Sequence, residues 1–200
     1  MNSKPETRNS YQKVVVIAAS AGGIDALVQL FSRLPDDVPA AFLVVQHLKG
    51  DRPTHLHEYL ARYCSQHVCL AEDGLPPENN VVYLAVPGQH LRLDKERLIL
   101  DTGEAVQYVR PSADVLFASA AQAFGSHVIG VVLSGTGRDG ARGCLEIKAH
   151  GGITLAQDEK SAGYFAMPKA AIDKDAIDYV LPASRIAEKI VALISREVSE

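Results

Sequence analysis

Residues 14–31 read VVVIAASAGGIDALVQLF, and this stretch decides the fold. Val14 to Ser20 is an unbroken apolar run ending just before the glycine pair Gly22 and Gly23, and the residues that follow carry apolar side chains at helical spacing. A strand that is apolar on both faces is buried between two layers. The pattern therefore predicts a buried strand, a tight turn and a crossover helix, the opening unit of a parallel sheet. The unit recurs. Ala40 to Gln46 predicts a second buried strand, and Pro53 to Cys64 a helix opened by a proline near its first turn.

From Pro111 the same rhythm predicts a helix through DVLFASAAQAF, the strand Val128 to Leu133, a glycine-rich turn, the helix ARGCLEIKAH and the strand Ile153 to Gln157. A strand YVL and the helix SRIAEKIVALISREV close the chain. Between these halves, Val81 to Val86 and the pair HLRL and RLIL around Asp94-Lys95-Glu96 read as short strands, the last two a hairpin, together an elaboration at the sheet edge. The expected class is α/β: a doubly wound, mostly parallel sheet with flanking helices and a small antiparallel hairpin elaboration.

The chain has 200 residues, 47% of them hydrophobic and 22% charged, enough for one domain with a sizeable core and too apolar for a disordered chain. No internal repeat or linker divides it, so the expectation is a polar, disordered tail over 1–12 and a single domain over 13–200. Twenty Lys plus Arg against 24 Asp plus Glu leave a net charge of -4, so no basic field exists to hold nucleic acid or an anionic membrane. No apolar run of about 18 residues offers a membrane span. Three cysteines and no secretory segment point to a reducing cytoplasm.

In a doubly wound sheet, functional groups gather beyond the carboxyl ends of the strands. Three polar residues fall there: Ser20 after the first strand, His47 after the second, and Asp139 in the turn after Val128 to Leu133. Their types are those of a hydrolytic triad. Ser20 lies in Ala18-Ala19-Ser20-Ala21-Gly22, close to the G-x-S-x-G elbow with alanine for the first glycine, and the turn offers free backbone N–H groups to a developing oxyanion. Each residue has a plainer reading. Ser20 serves equally as a helix cap, His47 as a hydrogen-bonded structural histidine, and Asp139 as the cap of the helix beginning near Ala141.

Gly135, Gly137 and Gly140 also match G-x-G-x-x-G, with Asp158 placed 18 residues beyond as a ribose-binding acid would be. Against a dinucleotide site, Asp139 would put negative charge inside the phosphate-binding turn. His55, His57, Cys64, His67 and Cys69 are spaced poorly for a metal, since His55 and His57 point to opposite faces of the predicted helix. Neither these histidines nor His90, His127 and His150 are assigned a catalytic role.

Taken together, IAASAGGIDAL, LVVQHL, AEDG, VYLAVPGQHLRL, RPSADVLFASAA, GVVLSGTGRDGARG, GGITLAQDE and FAMPKAAI, spread from about Val14 to Ile194, resemble the catalytic domain of the chemotaxis protein-glutamate methylesterases. The resemblance implies Ser20 as nucleophile, His47 as general base and then acid, and Asp139 as the carboxylate that orients it. Ala21, Gly22, Thr136 and Gly137 would line the oxyanion and substrate region, and Arg110 and Arg138 would attract an acidic receptor surface. The reaction implied is hydrolysis of glutamate γ-methyl esters on the cytoplasmic helices of chemoreceptors, with deamidation of glutamines there as a second acyl transfer, and neither needs a metal or organic cofactor.

Two departures stand out. Family members in two-component chemotaxis usually carry a receiver domain ahead of the catalytic one, whereas twelve residues precede the first strand here, so the expectation is a stand-alone unit, unregulated or controlled by a separate protein. Thr136 stands where the family often has methionine. The readings set against the esterase are a receptor- or nucleotide-binding module that does not turn over, and a hydrolase of small esters.

Overall fold

The computed structural model describes residues 13–48 and 53–196; the tail expected over 1–12 lies outside them. Seven parallel strands form one sheet. In chain order these are β1 (Lys13–Ala19), β2 (Ala40–Gln46), β3 (His67–Leu70), β4 (Val81–Leu84), β7 (Val128–Val132), β8 (Ile153–Gln157) and β9 (Tyr179–Leu181), arranged across the sheet as β3-β4-β2-β1-β7-β8-β9. Strands β5 (His90–Asp94) and β6 (Arg97–Asp101) make the separate antiparallel hairpin. The helices are α1 (Gly23–Phe31), α2 (Leu56–Leu60), α3 (Ala113–Phe124), α4 (Ala141–Ala149), α5 (Ala166–Ile172) and α6 (Ala183–Arg196).

The two-residue alternation of a strand sorts β1 between two cores. Val15, Ile17 and Ala19 face one cluster with Leu27, Leu30 and Phe31 of α1 and Ile186 and Ile190 of α6. Val14, Val16 and Ala18 face the other, with Leu116 and Phe117 of α3, Ile147 of α4 and Leu91 of the hairpin. The two cores bury every side chain from Val14 to Ala19, which is why that run reads as continuously apolar. Truncating Ile17 to alanine would cost about 2–5 kcal/mol, the usual range for a core aliphatic side chain.

Two expectations are corrected. Val81–Leu84 is not an edge elaboration: β4 lies inside the sheet between β2 and β3, and only the hairpin stands apart. The helix expected over Pro53 to Cys64 shrinks to Leu56–Leu60, where Leu56 and Leu60 are buried while Tyr59 and Tyr63 remain exposed. Its last turn tightens through the bonds Arg62 N–H to Tyr59 O and Tyr63 N–H to Leu60 O, which end the helix.

The sheet order sets the place of the site. β1 is central, with β2 on one side and β7 on the other, so the strand ends at Ser20, His47 and Ser134 stand side by side. Helices α3 and α4 meet at Gly143, where an added Cβ would lie 2.4 Å from Phe117 Cβ. That approach brings their two N-termini together beside the same sheet edge.

Candidate active site

Ser20 and His47 are neighbours by strand register. Ala19 pairs with Gln46 at the end of β1 and β2, and the next amide, His47 N–H, donates to Ala19 O at 2.9 Å. Both residues line one cleft of about 670 Å³ with Ala21, Gly22, Gln46, Leu48 and Thr136. Ser20 is not a helix cap: Gly22, with φ 71°, occupies that position, and Ser20 N–H donates to Ser134 O at 2.9 Å. Gln46 straps the pair from below, its Nε2 donating to Ser20 O and to His47 O, each at 2.9 Å. One buried amide thus ties the ends of the two strands.

His47 reaches across β1 to the turn after β7, where its Nε2 lies 2.9 Å from Asp139 Oδ2. Asp139 is only 4% exposed, and of the helix that follows it accepts only the amide of the cap residue Gly140, at 3.1 Å. It caps α3. Its oxygens accept from Ser112 Oγ at 2.8 Å, Ala113 N–H at 2.6 Å and Asp114 N–H at 3.0 Å. Burial pushes the Asp139 carboxyl up, but the bonds from His47, Asp114, Ala113 and Ser112, at the positive end of α3, outweigh it and hold it below the usual aspartate range. An ionised carboxylate only accepts. His47 Nε2 therefore carries the proton, and Nδ1 is left as the basic nitrogen of a ring that lines the Ser20 cleft.

Asp114 closes the arrangement from the other side. Its Oδ1 accepts from Gly140, Arg142 and Gly143 N–H at 3.0, 3.0 and 2.8 Å, the orphan donors of the α4 N-terminus. Burial, and after it the charge of Asp139, raises the Asp114 carboxyl above its usual value despite those bonds. This contact counts against the dinucleotide alternative, since the α4 N-terminal amides that would face a phosphate already hold a carboxylate. Asp158 is likewise engaged, accepting from Ser161 N–H and Oγ.

Among the described residues, the N–H groups of Ala21, Gly22, Thr136 and Gly137 donate to no acceptor in the chain. Ala21, Gly22 and Thr136 border the Ser20 cleft, whereas Gly137 borders a smaller one shared with His47, Arg138 and Asp139. Ser134, fully buried, spaces these loops: its hydroxyl donates to Ala21 O and accepts from Tyr164 N–H. Arg110 donates through Nη1 to Thr102 and Gly103 O, pinning the end of β6, and Arg138 donates through Nε to Gln107 Oε1. Both border the cleft walls that contain His47.

The residues that sequence reasoning missed are supports. Asp114, Gln107 and Ser112 act through bonds to segments far away in the chain, and His90, buried in β5, accepts from Ser112 N–H at Nδ1 while donating from Nε2 to Glu104 O. Only Gln46 had a local signal, a polar residue closing an otherwise apolar strand. Among the described residues no cluster of His, Cys, Asp or Glu has the geometry of a metal site.

A doubly wound parallel sheet that gathers a serine, a histidine–carboxylate pair and unpaired backbone donors at one edge has the groups that acyl transfer to water requires. The chain belongs to the CheB methylesterase family, whose model matches residues 15–190. It is 41% identical over 184 residues to a protein-glutamate methylesterase/protein-glutamine glutaminase of Pyrococcus horikoshii, covering 90% of this chain and 50% of that one. It is also 41% identical over 179 residues to the protein-glutamate methylesterase FrzG of Myxococcus xanthus, covering 89% of this chain and 54% of that one. The crystal structure of the Thermotoga maritima CheB methylesterase catalytic domain superposes with a TM-score of 0.87 at 35% identity, over 91% of this chain and 98% of that one. The chain spans about half the length of the curated relatives it matches.

Proposed function

We propose that this chain hydrolyses glutamate γ-methyl esters on the helices of chemoreceptors, and deamidates glutamines there, through Ser20, His47 and Asp139. The observation that carries the reading is the His47–Asp139 pair, because its bond at Nε2 leaves Nδ1 as a base on the cleft that Ser20 lines. His47 Nδ1 takes the proton of Ser20 Oγ as that oxygen attacks the γ-carbonyl carbon. The oxyanion so formed is met by backbone N–H groups from the set Ala21, Gly22, Thr136 and Gly137, which depends on main chain and so tolerates threonine at 136.

Collapse of that intermediate breaks the bond to the leaving group, methoxide from an ester or amide from a glutamine, and His47 returns the proton so that methanol or ammonia departs. Water then attacks the glutamyl–Ser20 ester, giving its proton to His47, and the free carboxylate leaves as Ser20 regains its hydrogen. Asp139, kept ionised at the α3 N-terminus, holds the tautomer and stabilises the imidazolium of each step. No step calls for a cofactor. We take residues 13–200 as the catalytic unit and place it in the cytoplasm, beside the receptor helices. Arg110 and Arg138 border the cleft and supply positive charge toward an acidic receptor surface.

Methanol release from methylated chemoreceptor membranes tests the reading, with the chain assayed beside its Ser20→Ala variant. Release by the parent and a loss of several orders of magnitude in the variant support it. No release by the parent overturns the substrate assignment, and equal release by both overturns the assignment of Ser20.

A further inference from the structure

The segment between β6 and α3 carries a turn that the fold does not require in its observed sequence. Val106 and Val109 exchange two backbone hydrogen bonds of 3.1 Å, and the residues between them, Gln107 and Tyr108, have φ of 50° and 68°. Positive φ at both central positions is the pattern of the type I′ turn, where asparagine and glycine are favoured and a side chain as bulky as tyrosine is disfavoured. Gln107 has a structural reason to be there. Its Nε2 donates to Asp114 Oδ2 at 2.5 Å and its Oε1 accepts from Arg138 Nε at 3.0 Å, so it bolts the turn to the helix N-termini that hold Asp139.

Tyr108 has none. Its side chain is fully exposed, and among the described residues it makes no hydrogen bond, ion pair or ring contact. A strained backbone that presents an aromatic ring to solvent is unfavourable unless the ring meets something else. Its position indicates what. Tyr108 borders two clefts, of about 330 and 180 Å³, and His47 borders both. Leu48, also exposed, borders the larger of them, and the exposed ring of Tyr164 stands at Gly22 of the neighbouring Ser20 cleft, 3.3 Å from where a Cβ on that glycine would lie. Leu48, Tyr108 and Val109 put apolar side chains around His47, with Arg110 and Arg138 beside them, which suits a glutamyl side chain reaching inward from an acidic helix whose flanking surface rests on Tyr108.

We propose that Tyr108 is the docking contact for the helix that carries the ester, a specificity-determining residue contiguous with the site, held outward in advance by Gln107. Preorganisation lowers the entropy lost on binding, and a rigid aromatic anchor is the side chain such a contact favours. The inference rests on the proposed function above, since it takes a protein helix as substrate.

The test compares parent, Tyr108→Gly and Tyr108→Phe in methanol release from methylated chemoreceptor membranes, with melting temperature measured alongside. Glycine relieves the positive φ, so a residue kept for docking predicts a melting temperature that does not fall while KM rises about tenfold and kcat stays within about twofold. Phenylalanine keeps the ring and restores KM. A fall in kcat at constant KM, a lower melting temperature that accounts for the lost activity, or kinetics equal to the parent each overturn the inference. In the last case the parent's methanol release leaves the proposed function standing, whereas a parent that releases none removes both.

Discussion

Asp114 and Asp139 cap each other's helices. Asp139, one residue before the α4 cap, accepts from the first amides of α3, while Asp114, in the first turn of α3, accepts from the first amides of α4. Each carboxylate sits in the positive field of the opposite helix, and each satisfies donors that would otherwise be buried and unpaired. The reciprocity fixes Asp139 at a distance from β2 that His47 can span. It also sets the two carboxyls apart electrostatically, with Asp139 held ionised and Asp114 pushed toward its neutral form by burial and by Asp139.

Replacing Asp139 by asparagine separates its two roles. The folded carboxyl lies below the usual aspartate value of 3.8, so its contribution to stability is complete above that pH and is lost as pH falls through the lower, folded value. The part of the difference in unfolding free energy between parent and Asp139→Asn that comes from the carboxyl's own titration is expected to be level above about pH 5 and to shrink below it. Urea titrations at several pH values measure this, and turnover is expected to fall by orders of magnitude at every pH.

Asp114→Ala removes the acceptor shared by Arg142 and Gly143 N–H, while Gly140 N–H, its third donor, keeps Asp139 Oδ1. A loss of about 1–3 kcal/mol is expected from buried donors left unpaired, read from the urea midpoint. Asp114→Asn keeps a side-chain oxygen facing those amides and is expected to lose less than the alanine variant.

Gln46→Met preserves shape and removes both donors from Ser20 O and His47 O. Stability is expected to fall by about 1–3 kcal/mol, with kcat reduced on protein and small esters alike because both strand ends lose one tether. Gln46→Glu, which turns an ionised oxygen toward two carbonyl oxygens, is expected to be worse than methionine at neutral pH and to improve as pH falls. Kinetics of the three proteins across pH check the ordering.

Gly135 admits no side chain. An added Cβ would lie 2.2 Å from Met167 Sδ and 2.8 Å from Ser20 Cβ, so Gly135→Ala must displace the methionine, the serine or both. Overpacking of this kind costs about 1–3 kcal/mol, and a loss of kcat greater than the loss of stability explains would place the displacement on Ser20.

Much of this was legible along the chain because it is local. β8 occupies the stretch read for it, and β1 the run from Val14, since an apolar stretch closed by turn residues needs no distant partner to be recognised. β3 was missed because HVCL is four residues long with only Val68 buried, too short for a period. α5 was missed because Pro168 reads as a breaker, although it falls in the first turn, where its missing N–H costs nothing.

The sequence by itself determined the alternating strand and helix order, and with it the placement of Ser20, His47 and Asp139 at strand ends, because periodicity and turn chemistry are properties of neighbours in the chain. Tertiary structure decided that β4 belongs inside the sheet, that Asp139 caps α3 while Asp114 caps α4, and that Tyr108 borders the same clefts as His47. Those facts depend on contacts between residues 14 or more apart, such as Val68 to Val82, Asp114 to Asp139 and His47 to Asp139. Their partners are chosen by which helix ends and strand ends the packing of two cores on one sheet brings together, and no local pattern encodes that choice.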